Sequence, residues 1–158
     1  LFFLQSYKDS GLITEEDIVE AIPKTLQDNI FDLTQLILTK KIDQARDLVK
    51  DLTLQGEDEI KLIAIMLGQF RLYTQVKILQ ESGQTESQMV SSLGHYLGRN
   101  PNPYQIKFAL RDTRGLSLNF LQDSIRYLIQ ADYQIKTGVY EKGYLFEKAL
   151  LQIASQSN

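Results

Sequence analysis

The chain has 158 residues, 43% of them hydrophobic, with only 9 Gly and 3 Pro; that is enough apolar material for one buried core and a composition tilted toward helix. It has no Cys, which excludes disulfides, thiol catalysis and cysteine-based metal sites and is compatible with a cytoplasmic setting. The net charge of −3 is unevenly shared, residues 1–60 holding 6 basic and 13 acidic side chains and the remainder 11 and 7, far from the strongly basic footprint of an autonomous nucleic-acid binder.

The opening Leu1-Phe2-Phe3-Leu4 is too short and too quickly polar for a signal peptide. Without an initiator Met the chain reads as a piece of something longer. No apolar run approaches the roughly 18–20 residues that span a bilayer, so no membrane contact is expected. Residues 1–22 read as the end of a preceding unit. Thr14 caps a short helix there, with Asp17 three residues on and Ile18, Val19 and Ile22 on its apolar side. Segment 23–28 reads as a linker, because Pro23 fits only the first turn of a helix and pushes Ile22 toward an extended shape. The main domain is expected over 29–158.

Asn29 is the predicted cap of a helix to about Thr39, with Ile30, Leu33, Leu36 and Ile37 on one face. Asp43 is the predicted cap of the next, striped by Ala45, Leu48, Val49 and Leu52 and ending near Gly56; the two form a helical hairpin through Lys40-Lys41. From Glu57 to Glu81 the apolar residues lie on every side of the helix, the pattern of an element buried within a bundle. Gly68 inside it costs about 1 kcal/mol of propensity and is read as room for a neighbouring helix; Gly83 ends it. Thr85 caps a short helix over 85–94, and Gly94 to Pro103 reads as loop. Pro103 opens a helix carrying Ile106, Ala109 and Leu110. Ser117 caps a long one with Leu118, Leu121, Ile125, Leu128 and Ile135 apolar, ended by Gly138. Gly143–Ala154 forms the last, with Leu145, Phe146, Ala149, Leu150 and Ile153 buried. No strand pattern and no fixed-period repeat occurs. The predicted fold is all-α, a compact bundle of about six to eight helices with no sheet.

Chemistry is sparse. Lys136-Thr137-Gly138 has the letters of a phosphate loop but ends a helix instead of opening one, and no Gly-rich turn precedes it. His95 stands alone, beside Gly94 and Tyr96, and reads as a helix-end surface residue; metal ligation would need partners that are not spaced for it. Glu15-Glu16 and Glu57-Asp58-Glu59 fall in first helical turns, where acids interact favourably with the macrodipole. No cofactor, metal or catalytic residue is expected.

Four short patterns resemble one family: Asn29-Ile30-Phe31-Asp32-Leu33 opening a helix; Leu54-Gln55-Gly56-Glu57 with the apolar run into Gln69-Phe70-Arg71; a helix ending in Leu93-Gly94, then a Pro-containing loop and a helix with Lys107; and Ala131-Asp132-Tyr133 leading to Ile135-Lys136-Thr137-Gly138. Their order over about 25–155 is similar to the C-terminal region of the delta subunit of the bacterial DNA polymerase III clamp loader. The resemblance implies a helical collar domain packed beside the ATPase and delta-prime subunits of a pentamer, with 1–22 the tail of a lid domain. It implies no intrinsic activity in this component of a DNA-directed DNA polymerase. Sliding-clamp contact belongs, in that family, to an N-terminal domain absent from this sequence.

On that reading the candidate interface residues are Tyr73, Tyr104, Phe108, Tyr127, Tyr133 and Tyr140, tyrosine being favoured at half-wet contacts, with Arg71, Arg111 and Arg126 adding charge-assisted bonds. Arg71 follows the buried run and either pairs with an acid on another helix or faces a neighbour. Asp132 occupies an apolar slot, where Lys136 four residues on reaches it; the pair either fastens a loop or anchors a subunit contact. The rival reading is a helical nucleic-acid-binding domain using region 95–126, which has five basic and two acidic residues. Its connection is too long for a helix-turn-helix, and DNA contact is expected to be weak or indirect.

Overall fold

The computed structural model describes residues 23–98 and 101–157, with only the backbone at Tyr96 and Leu97. The helix expected at 14–22, the lid-domain reading of 1–22 and Arg99 lie outside the described residues. Among the described residues there are seven helices and no strand: α1 (Lys24–Leu38), α2 (Ile42–Leu54), α3 (Glu59–Glu81), α4 (Glu86–Leu97), α5 (Pro103–Asp112), α6 (Leu118–Lys136) and α7 (Lys142–Ala154). They form two compact units. One takes its described residues from 23–69 and 126–156, the other from 70–125, so that α3 and α6 each contribute to both.

In the first unit α1 packs on α2 and α7, and α2 on α7. Helix α1 starts at Lys24, more than a turn before the predicted cap at Asn29, with Pro23 as the flanking residue. Proline there loses no helical hydrogen bond. Leu26, only 5% exposed, extends the buried stripe Ile30, Leu33 and Ile37 by one turn. The stretch expected as a linker is therefore helix. Thr34 is also buried on this stripe; its hydroxyl donates to the Ile30 carbonyl at 2.9 Å and lies 2.6 Å from Gln69 Oε1 of α3, so burial leaves it satisfied.

Lys40 closes the α1–α2 hairpin at φ 62, a left-handed conformation uncommon outside glycine. The Lys41 N–H reaches back to the Leu36 carbonyl at 2.8 Å, and Lys40 Nζ donates to the Gln156 carbonyl beyond the end of α7. Asp43 does not cap α2: Lys41 holds that position without a side-chain bond, and Asp43 lies in the first turn. Arg46 of α2 pairs with Glu147 of α7. Asp58 accepts from the Ile60 N–H at the start of α3 and pairs at 2.8 Å with Lys142 at the start of α7.

Helix α3 is, by length and composition alone, apolar enough to cross a membrane, where no such segment was expected. Its apolarity has another explanation. Leu62, Ile63, Met66, Phe70 and Val76 have no exposed surface, and Ile65, Leu67 and Tyr73 have 2–7%. A helix buried on several sides has no polar face to display.

In the second unit Thr85 caps α4 through a reciprocal box with Gln88. Helix α4 runs on to Leu97 and stops at Gly98, φ 76, so Gly94 to Leu97 is helix where a loop was expected. It packs on α5. Asn102 caps α5 behind Pro103, and Ser117 Oγ accepts from the Phe120 N–H at the start of α6. The buried seam of α6 is Leu121, Ser124, Leu128, Ala131 and Ile135, offset from the predicted one because two of its members are small residues. Ser124 satisfies its hydroxyl on the Phe120 carbonyl.

The Lys142 ammonium holds the Asp58 carboxyl below its ordinary 3.8, aided by the Ile60 N–H and opposed by partial burial; Asp58 in turn raises Lys142 above 10.5. Stability from a depressed carboxyl is present above its ordinary value and lost as pH falls through the lowered one. Both side chains are about half exposed, so Asp58→Asn is expected to cost less than about 1 kcal/mol at pH 7. The gap from wild type in urea denaturation should shrink as pH falls below about 4. A gap independent of pH would show that the Asp58 charge contributes nothing.

Candidate functional site

In the second unit the polar groups converge on the end of α5. Tyr73 and Lys77, one turn apart on α3, both point there: Tyr73 donates to Asp112 Oδ2 at 3.0 Å, and Lys77 Nζ donates to the Thr113 carbonyl at 3.3 Å. A cation at the carbonyls of a helix C-terminus is favourable. The Asp112 carboxylate is 2% exposed and also accepts from Arg111 Nε at 3.1 Å. The same guanidinium lies 4.9 Å from the Phe108 ring centre. Ile106 and Ala109 bury the opposite side of the helix, leaving Tyr104 66% and Phe108 42% exposed.

These contacts divide the sequence-derived candidates. Tyr104, Phe108 and Arg111 share the outer face of α5. Arg71 is exposed on α3. Tyr73, expected at a contact surface, is 3% exposed; its ring packs edge-on against Phe70 at 5.8 Å and its hydroxyl is bonded internally. It is a core residue of this unit.

In the first unit the candidates follow α6. Arg126 stands 5.6 Å over the Tyr127 ring. Asp132 and Lys136 form the expected pair at 2.8 Å; Asp132 is partly exposed because the small Ala131 takes the buried slot. Tyr133 is 66% exposed. Helix α6 then ends at Gly138, whose φ of 72 lets the Val139 N–H bond the Gln134 carbonyl at 3.1 Å. That reversal presents Val139 and Tyr140, 49% and 65% exposed. Tyr140 meets Tyr144 of α7 edge-on at 5.7 Å.

The sequence reading missed Ile129, Val139, Tyr144 and Leu151, all at least 37% exposed. Ile129 had a signal: it lies three residues after Arg126 and four before Tyr133, on the same outer stripe. Tyr144 sits one turn before Lys148 on the side of α7 opposite Phe146 and Ala149. An open surface depression beside it is lined by Tyr127, Lys148, Leu151, Gln152, Ser155 and Gln156. A second, in the other unit, is lined by Gln84, Ser87, Gln88, Ser91 and Ser92. Neither has the enclosed, convergent polar groups of a small-molecule site. Among the described residues no three His, Cys, Asp or Glu side chains are placed to hold a metal, and His95 is exposed in the last turn of α4.

The division has a measurable consequence. Tyr73→Phe removes a donor from a buried carboxylate and is expected to cost about 1–3 kcal/mol. Tyr133→Ala, on the outer face of α6, should change stability by less than about 0.5 kcal/mol. Equal costs in chemical denaturation would contradict the assignment of one to the core and the other to the surface.

Comparison with known proteins adds a second line. A family model described as DNA polymerase III delta subunit, C-terminal domain, matches residues 27–153. The DNA polymerase III subunit delta of Bacillus subtilis (strain 168) is 32% identical over 149 residues, which are 94% of this chain and 41% of that protein. Among solved structures, the Bacillus subtilis DNA clamp loader delta protein aligns with a TM-score of 0.73 at 31% identity, covering 96% of this chain and 43% of that one. The chain thus spans less than half the length of these relatives. A helical fold, expected from the residues alone, and a match across nearly all of the chain agree: this chain belongs to the DNA polymerase III delta subunit family, in its C-terminal domain.

Proposed function

We propose that this chain is the collar-type assembly domain of a clamp-loader delta subunit. It binds the ATPase and delta-prime type subunits and catalyses no reaction itself. The observation that carries the reading is the set of tyrosines at the surface. Tyr104, Tyr133, Tyr140 and Tyr144 are each 56–66% exposed, although the same chain buries Tyr73 almost completely. Tyrosine offers a large apolar area with a polar tip and is enriched where a surface is covered by another protein. Family membership supplies the kind of neighbour. We take the proposed domain to begin at Pro23, just before α1, and its setting to be the cytoplasm. Opening of the sliding clamp falls to a part of the full-length subunit outside this chain.

The test is co-elution of this chain with the ATPase and delta-prime type subunits of the same bacterium in size-exclusion chromatography. A stoichiometric complex is expected. The isolated chain should shift duplex DNA negligibly at physiological salt. Failure to co-elute, together with a DNA shift that weakens steeply with salt, would replace the assembly role by a nucleic-acid one.

A further inference from the structure

We infer that the outer face of α5 receives an acidic helical surface with an apolar end, presented by a neighbouring subunit of the loader. This rests on the assembly reading and names the chemistry of one of its contacts. Tyr104, Lys107, Phe108 and Arg111 recur at the i, i+3, i+4 and i+7 spacing of one helix face, opposite buried Ile106 and Ala109. Arg114 follows just past the helix end. That face carries no acid. The one carboxylate on α5, Asp112, is sunk to 2% exposure and engaged by Tyr73 and Arg111. Among the described residues Lys107 and Arg114 make no ion pair, so none of these residues neutralises the positive charge they give this face.

Its cations and rings are arranged together. The Arg111 guanidinium is already held over Phe108 and against Asp112, which reduces the side-chain freedom lost when it meets a carboxylate. Two half-exposed rings beside cations fit a partner that offers carboxylates and aliphatic side chains on one face. The fold itself shows such a face. On α2, Asp43, Asp47 and Asp51 are exposed at i, i+4 and i+8 with one cation, Lys50, beside them, and Leu54 beyond them is 76% exposed. Like charges at that spacing repel along an isolated helix. They make no ion pair among the described residues. A partner helix patterned in this way would set carboxylates against Lys107, Arg111 and Arg114 and an aliphatic side chain against the rings of Tyr104 and Phe108. Charge complementarity of this sort sets partner choice and register. A phosphate backbone is the lesser fit, because a chain of net charge −3 offers only these few cations in place of an extended basic track.

The experiment measures binding of this chain to the loader's ATPase subunits by titration at low and physiological salt. Lys107→Glu with Arg114→Glu spares Arg111, and circular dichroism confirms that helicity and melting are kept. A second variant, Tyr104→Ala with Phe108→Ala, removes the rings. Each is expected to weaken binding by roughly tenfold or more, with only the charge variant losing the salt dependence. If wild type binds and both variants bind equally well, the α5 face is not the contact and this inference falls while the assembly reading stands. If the charge variant keeps subunit binding but loses binding to a labelled single-stranded DNA, the face serves nucleic acid and the inference is overturned. If wild type binds no loader subunit, the assembly reading fails and takes this inference with it.

Discussion

The burial of α3 on several sides at once constrains everything built around it. Leu62, Ile63 and Met66 belong to the first unit and Phe70, Tyr73 and Val76 to the second, and all six are at most 3% exposed. Each such side chain contributes about 1.5–3 kcal/mol on removal from water, so one continuous helix supplies core to both units. A helix used in this way has little surface left for a ligand. Three of its polar groups are internal fasteners: Gln69 meets Thr34, Tyr73 meets Asp112 and Lys77 meets the end of α5. In the proposed assembly role, binding falls to the outer faces of the other helices.

That arrangement accounts for how much the residues disclosed. The apolar run of α3, the caps at Thr85 and Ser117 and the stops at Gly83 and Gly138 are local signals, and each appears in the structure. The stripe of α7 was legible because large aliphatics mark it throughout. The seam of α6 was legible in part: Leu121, Leu128 and Ile135 are buried as expected, while Ser124 and Ala131 occupy buried slots that a search for large side chains passes over. Pro23 looked like a break when it was a beginning: a proline before Lys24 and one before a linker read alike until Leu26 is seen to be buried. Gly94 misled in the same way, lying inside α4 three residues before its end at Leu97.

Surface function was harder to read than core. Tyr73 and Tyr133 are the same residue type, yet one is 3% and the other 66% exposed, a difference set by three-dimensional packing. The pairing of Asp132 with Lys136 was legible, being set by helical spacing alone. The edge-on contact of Tyr140 with Tyr144 required the α6–α7 reversal at Gly138, a geometry that no spacing rule gives. What remains at the surface is aromatic and basic on α5 and aromatic on α6 and its turn, with no constellation among the described residues able to hold a metal. Such a surface suits recognition of other proteins.

Hydrogen–deuterium exchange tests the central claim most directly, which is that the outer helical faces bind while the α3 core only supports them. The chain is measured free and mixed with the loader's ATPase and delta-prime type subunits. The account predicts added protection in peptides covering 103–114 or 126–144, with the amides of α3 equally slow in both states. Added protection confined to α3, with those outer segments unchanged, would contradict it.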